Sequence, residues 1–140
     1  MKFRDYFSLK HILFAIGLIA LMLLFAIRQS NNTVKVSFNR DMVDVTSAKY
    51  SMSIRYEDIV SARLTDLAED GERIDYCYDD GTLRAGIWHN DTWGDYIIVA
   101  DLDTSKCIYI EIEDGRVLVF SRKNDKTTKE DFETLQTYLK

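Results

Sequence analysis

The sequence predicts a mainly β (α+β) protein, in which an N-terminal transmembrane helix precedes an antiparallel β-barrel or sandwich of about seven strands capped by a C-terminal α-helix. Three observations predict it. Every residue from Ile12 to Ile27 (ILFAIGLIALMLLFAI) is apolar or glycine; apolar and polar residues alternate at period two from Val34 to Phe120; and the spacing turns helical at Phe132, Leu135 and Leu139.

The apolar run comes first. It has no polar face, as expected where every side meets hydrocarbon. With Leu9, Lys10 and His11 it reaches 19 residues, which at 1.5 Å per residue spans roughly 28 Å, close to the apolar thickness of a bilayer. Ile12, Gly17, Leu21 and Ile27 mark its length as the membrane anchor, and His11 falls at the membrane edge. Lys10 and Arg28 can snorkel to the two interfaces, and Phe3, Tyr6 and Phe7 suit a headgroup layer. A secretory signal is the competing reading. Its hydrophobic stretch is shorter and ends at a small-x-small site, whereas this one runs into Phe25-Ala26-Ile27-Arg28-Gln29, with no cysteine following to take a lipid. Basic residues are nearly balanced across the span: Lys2, Arg4 and Lys10 before it, Arg28, Lys35 and Arg40 after it. A short tail ahead of an uncleaved anchor usually stays in the cytoplasm, so the expected location is the cell membrane, single-pass, with the β domain outside. The expected division is a tail and span over 1–28, a polar linker over 29–33 and a β domain over 34–140.

Charge separates the two parts. Residues 1–28 hold four basic side chains and one acid, Asp5, which leaves 14 basic and 22 acidic side chains beyond, a net charge near −8. That sign is repelled by phosphate backbones and anionic headgroups, arguing against nucleic acid and against polybasic capture by lipid.

The strands follow in order. Val34, Val36 and Phe38 alternate with polar residues, as do Tyr50, Met52, Ile54 and Tyr56, and a strand over Ile59–Leu67 follows. Tyr96–Ala100 is a further apolar β run. Ile108, Ile110 and Ile112 share one face, with Cys107, Tyr109 and Glu111 opposite. Glu113-Asp114-Gly115 then signals a hairpin returning through Arg116–Phe120. Glu69-Asp70-Gly71, Asp79-Asp80-Gly81 and Asp101-Leu102-Asp103 read as turns, and short spacing between runs predicts an antiparallel meander. Thr127 with Glu130 offers a capping box for the last helix, whose stripe must dock on a sheet.

This arrangement resembles the pleckstrin-homology-like (PH-like) fold, and local phrases resemble bacterial pleckstrin-homology domains that follow a membrane span. The phrases are Tyr56-Glu57-Asp58-Ile59, Arg84-Ala85-Gly86-Ile87-Trp88, Gly94-Asp95-Tyr96, Ile108-Tyr109-Ile110 and Gly115-Arg116-Val117-Leu118-Val119-Phe120, with the closing helix. The resemblance implies a fold and no common chemistry. Relatives that hold phosphoinositides use basic residues in the first strand pair; here Lys49 and Arg55 are accompanied by Glu57 and Asp58, so phosphoinositide binding is not carried over.

Few residues suggest chemistry. His89 is the one histidine outside the membrane region, and no Cys-x-x-Cys or His-x-x-x-His spacing is present, so neither a metal site nor a cofactor is expected. Asp79, Asp80, Asp101 and Asp103 could attract calcium, but no EF-hand loop surrounds them. Cys77 and Cys107 are candidates for a disulfide in an exported domain, or for two unpaired small hydrophobes. Either thiol with His89 would make a nucleophile–base pair that nothing orients. The densest polar–aromatic stretch is Trp88-His89-Asn90-Asp91-Thr92-Trp93-Gly94. Trp88, His89, Asp91 and Trp93 are either a binding patch or a hairpin whose indoles fold inward and plug one end of the barrel. The expected function is a membrane-anchored, non-catalytic module that binds protein partners or self-associates. A small-ligand or lipid binder, an accessory subunit of a membrane complex and, last, a hydrolase-like enzyme are the alternatives.

Overall fold

The computed structural model describes residues 2–31, 33–68 and 71–140, and the side chains among them outside 2–7 and 28–31. The chain forms two compact units, Met1–Asn31 and Asn32–Lys140. The first is one helix, α1 (Lys2–Asn31). Its Ser8–Ile27 segment has a mean hydropathy of 2.4 and is long and apolar enough to cross a membrane, a test that a signal sequence near an N-terminus also passes. Ile12, Gly17, Leu21 and Ile27 all lie within it. The helix runs on to Asn31, taking in Gln29–Asn31, which the sequence assigns to a linker. Continuing the helix keeps each backbone N–H bonded to the carbonyl four residues back, so polar side chains alone do not end it. The expected roles of Lys2, Arg4, Phe3, Tyr6, Phe7 and Arg28 at the interfaces concern side chains outside those described.

The second unit is mainly β. Nine strands are present among the described residues: β1 (Lys35–Phe38), β2 (Met42–Thr46), β3 (Ser51–Arg55), β4 (Ile59–Asp66), β5 (Glu72–Asp79), β6 (Leu83–Asn90), β7 (Gly94–Asp101), β8 (Lys106–Ile112) and β9 (Val117–Ser121). They make two sheets, β1-β2-β3 and β4-β8-β9-β7-β6-β5. The expected count of about seven is too low by two. β2 carries a plain alternation, Val43 and Val45 fully buried between Met42, Asp44 and Thr46. β5 hides its period because the register shifts twice, between Arg73 and Asp75 and again between Asp75 and Tyr78.

A pure antiparallel meander is also overturned. β9 returns from β8 through the Glu113–Gly115 turn, where Gly115 N–H bonds the Ile112 carbonyl at 2.9 Å, and inserts between β8 and β7. It is antiparallel to β8 and parallel to β7, with Ile97 opposite Leu118. The insertion is feasible because residues 102–105, between β7 and β8, need to bridge only two strand spacings, roughly 10 Å.

The larger sheet buries both faces. On one face Leu83, Ile97, Val99, Ile108, Ile110 and Phe120 meet Val43, Val45 and Ile54 of the small sheet and Leu135 of α2 (Asp125–Tyr138). This is sheet-on-sheet packing with a helix at its side. Phe132 and Leu139 join Leu135 against this core, so the expected stripe docks as predicted. On the other face Trp88, Tyr96, Ile98, Cys107, Tyr109 and Val119 form a second core. Curl explains how that face is enclosed. β4 and β5 are opposite edges of six strands, yet only residues 67–71 join them. Flat, they would stand roughly 24 Å apart, whereas six residue steps reach about 20 Å. The sheet therefore wraps around the second core, but no β4–β5 ladder closes it into a barrel.

α2 begins earlier than the capping box implies. Asn124 is the N-cap, its side chain accepting from Thr127 N–H at 2.8 Å. Asp125 then anchors the helix start to the β7–β8 turn. Its carboxylate accepts from Ser105 N–H at 2.8 Å, Ser105 Oγ at 2.6 Å, Lys106 N–H at 3.0 Å and the Thr104 hydroxyl. Hydrogen bonds from Ser105 and Thr104, foremost, hold this carboxyl well below the usual carboxylate range. A depressed folded-state pKa adds stability that is complete above the unfolded value near 3.9 and is lost as pH falls through the folded one. Asp80 and Asp114 act in the same direction, whereas burial raises Asp101 and Asp131 and opposes them. Asp125→Asn is accordingly expected to flatten the loss of stability below about pH 4, measured as thermal midpoint against pH; an unchanged acid limb would show that this carboxylate does not carry it.

Candidate functional site

The Trp88–Gly94 stretch is the β6–β7 hairpin, with its tip at Asp91–Trp93. Asn90 Oδ1 accepts from Trp93 N–H at 2.6 Å, and Gly94 takes φ 70, which closes the turn. His89 and Asp95 face each other across the strands, Nδ1 to Oδ1 2.7 Å.

The two indoles turn inward. Trp88 is buried, its Nε1–H donates to the Ala85 carbonyl at 3.0 Å, and the guanidinium groups of Arg73 and Arg84 lie 5.3 and 5.1 Å from its ring. Trp93 is half-buried and meets Tyr96 edge-on at 5.1 Å, with Tyr109 at 5.7 Å. Edge-to-face packing of this kind is a preferred arrangement of aromatic pairs. The four-residue patch is thus divided: Trp88 and Trp93 belong to the second core, while His89 and Asp91 border solvent.

Those two residues line a cleft of about 460 Å³ with Ala68, Gly71, Glu72 and Asn90. Asn90 is the residue that sequence reasoning passed over. Its Nδ2 is buried with no hydrogen-bond partner among the described residues, while Oδ1 is taken by Trp93. An unmatched buried N–H costs more than a normal hydrogen bond gains, so it favours an acceptor brought from outside. Asn at a hairpin tip commonly caps the turn through its side-chain oxygen, and nothing local signals the free donor. A neighbouring cleft of about 540 Å³ is lined by Asp66, Leu67, Ala68, Arg84, Leu102 and Thr104. Its polar groups are committed to the fold: Arg84 bonds Asp79 at 3.0 Å and the Ala68 carbonyl at 3.3 Å, and Thr104 bonds Asp125.

The expected turn carboxylates likewise serve their own loops. Asp79 accepts from Gly81 N–H, Asp80 from Thr82 and Leu83 N–H, and Asp101 from Asp103 N–H. The Glu69-Asp70 part of the first turn lies outside the described residues. No group of three or more His, Cys, Asp or Glu that could hold a metal ion occurs among the described residues.

The two thiols are free, which corrects the candidate disulfide. Cys107 sits on β8 and Cys77 on β5, strands that are not neighbours in the sheet, and no bond joins the two thiols. Cys77 donates instead to the Ile87 carbonyl at 2.9 Å. Cys107 is buried rather than open to a partner, and desolvation pushes its thiol up to about 12, leaving almost no thiolate at neutral pH. With His89 held by Asp95, no nucleophile–base pair is assembled at either cysteine. No family model matches the chain, and neither a curated protein nor a solved structure matches it.

Proposed function

We propose that the chain is a membrane-anchored, non-catalytic interaction module of PH-like type, with its β domain on the extracytoplasmic side and a protein partner or a second copy as its target. The observation that carries this reading is the open large sheet. Its two edges, β4 and β5, hold three of the four large apolar side chains exposed beyond α1 among the described residues: Val60 at 66%, Ile74 at 52% and Tyr76 at 72%. The Asp79, Asp80, Asp101 and Asp125 carboxylates are meanwhile spent on turns and a helix start. Exposed apolar groups on an unpaired edge are what strand-edge recognition uses. A membrane tether raises local concentration enough for weak contacts to matter. Two facing sheets with a closing C-terminal helix support the PH-like assignment, while the parallel β7–β9 pair departs from an all-antiparallel barrel.

Chemical crosslinking in intact membranes tests the proposal. A crosslinked homo-oligomer or a stoichiometric partner is expected, the latter including a larger membrane complex; a strictly monomeric protein with nothing co-purifying contradicts it. A second reading, a small polar ligand in the His89–Asn90 cleft, is favoured by the unmatched Asn90 Nδ2. Native mass spectrometry of detergent-purified protein separates the two, since a persistent small adduct lost in Asn90→Leu supports a ligand site.

A further inference from the structure

We propose that the outer edge of β5 is a two-fold interface with a second copy of this chain, centred on Ile74. This rests on the interaction reading above and names its partner and its surface.

Three independent features meet on this strand. Exposure is the first. Residues Glu72 to Tyr76 are all exposed, and β5 pairs on one side only, with β6. Backbone geometry is the second. Tyr76 has φ 52, the left-handed region that a bulky side chain rarely enters. It is held there by the second register shift of β5 and by Gly86 on β6, which leaves room for the Tyr76 carbonyl. The distortion turns a large ring to solvent instead of hiding it, and strain retained at an exposed aromatic points to use of that ring. Order of charge is the third. The segment reads Glu72-Arg73-Ile74-Asp75-Tyr76. Laid antiparallel on itself about Ile74, it places Arg73 opposite Asp75 of the other copy, twice, and Ile74 opposite Ile74. Arg73 has no ion-pair partner among the described residues; its guanidinium rests on the Trp88 ring.

Opposing terms decide the form of the contact. A net charge near −8 repels a second copy in general, so contact is tolerated only where opposite charges meet. The bulges also prevent a long added strand, because they twist the edge away from regular pairing. What remains is a short contact at Glu72–Asp75, with the two Tyr76 rings packing at its ends. Such a contact is weak in solution and suited to chains confined to one membrane.

Disulfide trapping in native membranes is the test. Ile74→Cys in a Cys77→Ser background places two thiols opposite each other, where strand partners sit about 5 Å apart between Cα atoms and lie within bridging range. With copper phenanthroline as oxidant, Ile74→Cys is expected to give a covalent dimer at least about tenfold faster than Val60→Cys, a more exposed control on the other edge. Tyr76→Gly keeps the left-handed backbone without strain and is expected to slow trapping at position 74 while the domain stays folded. Asp75→Arg should slow it too, and Arg73→Asp with Asp75→Arg should restore it. Equal trapping at positions 60 and 74, or no response to the charge swap, overturns the β5 interface. If membrane crosslinking still captures a partner, the interaction module stands and only its surface is wrong; if both fail, both fall.

Discussion

Gly86→Ala is expected to destabilise the β domain by about 4 kcal/mol, a large share of the stability of a domain this size. Gly86 is buried in β6 at φ 106, and a Cβ built there would lie 2.3 Å from the Tyr76 carbonyl oxygen and 2.7 Å from its carbon. Backbone on backbone cannot be relieved by a rotamer change, so β5 must lift from β6 or Gly86 must change φ. Either movement disturbs Ile87, whose carbonyl holds Cys77, and Trp88, which closes the second core. Urea unfolding of the full chain in detergent, followed by the fluorescence of Trp88 and Trp93, measures the loss. A change below about 1 kcal/mol would mean that the Tyr76 carbonyl does not rest on Gly86.

Leu135→Ala is expected to cost about 3 kcal/mol. Leu135 is the one fully buried apolar side chain of α2, packed with Ile108, Ile110 and the small-sheet valines. Removing it leaves a cavity bordered by two sheets that are each hydrogen-bonded internally and cannot collapse inward. The flanking contacts of Phe132 and Leu139 are only partly buried. The helix is therefore expected to fray first, visible as faster amide exchange over 125–138 than in the sheets. Uniform protection across α2 would contradict this.

The contrast between these sites explains what could be read from the chain alone. The Ile108–Ile112 alternation, the Glu113-Asp114-Gly115 hairpin and the Phe132–Leu135–Leu139 stripe were legible because each is local: side-chain period and turn chemistry fix them within a few residues. β5 was illegible because its bulges erase the period, and the glycine that permits them lies on a different strand. Gly86 within Arg84–Trp88 was a signal for a bulge or a close backbone approach, but nothing nearby says which strand approaches. The parallel insertion of β9 is equally non-local, since no spacing in the chain says that β7 and β8 leave a gap. At the candidate site, the hairpin carrying Trp88 and Trp93 was readable, and so was the choice between core and surface for its indoles. The free Nδ2 of Asn90 was not, because it depends on which partner takes the other half of the amide.

Alkaline carbonate extraction followed by intact-mass measurement bears most directly on all of this. The Ser8–Ile27 helix, if it stays in lipid, keeps the protein in the membrane pellet with its N-terminal residues attached. Protein released into the supernatant would mean that the domain is not tethered, and a mature chain beginning beyond Gln29 would mean that the helix is a removed signal.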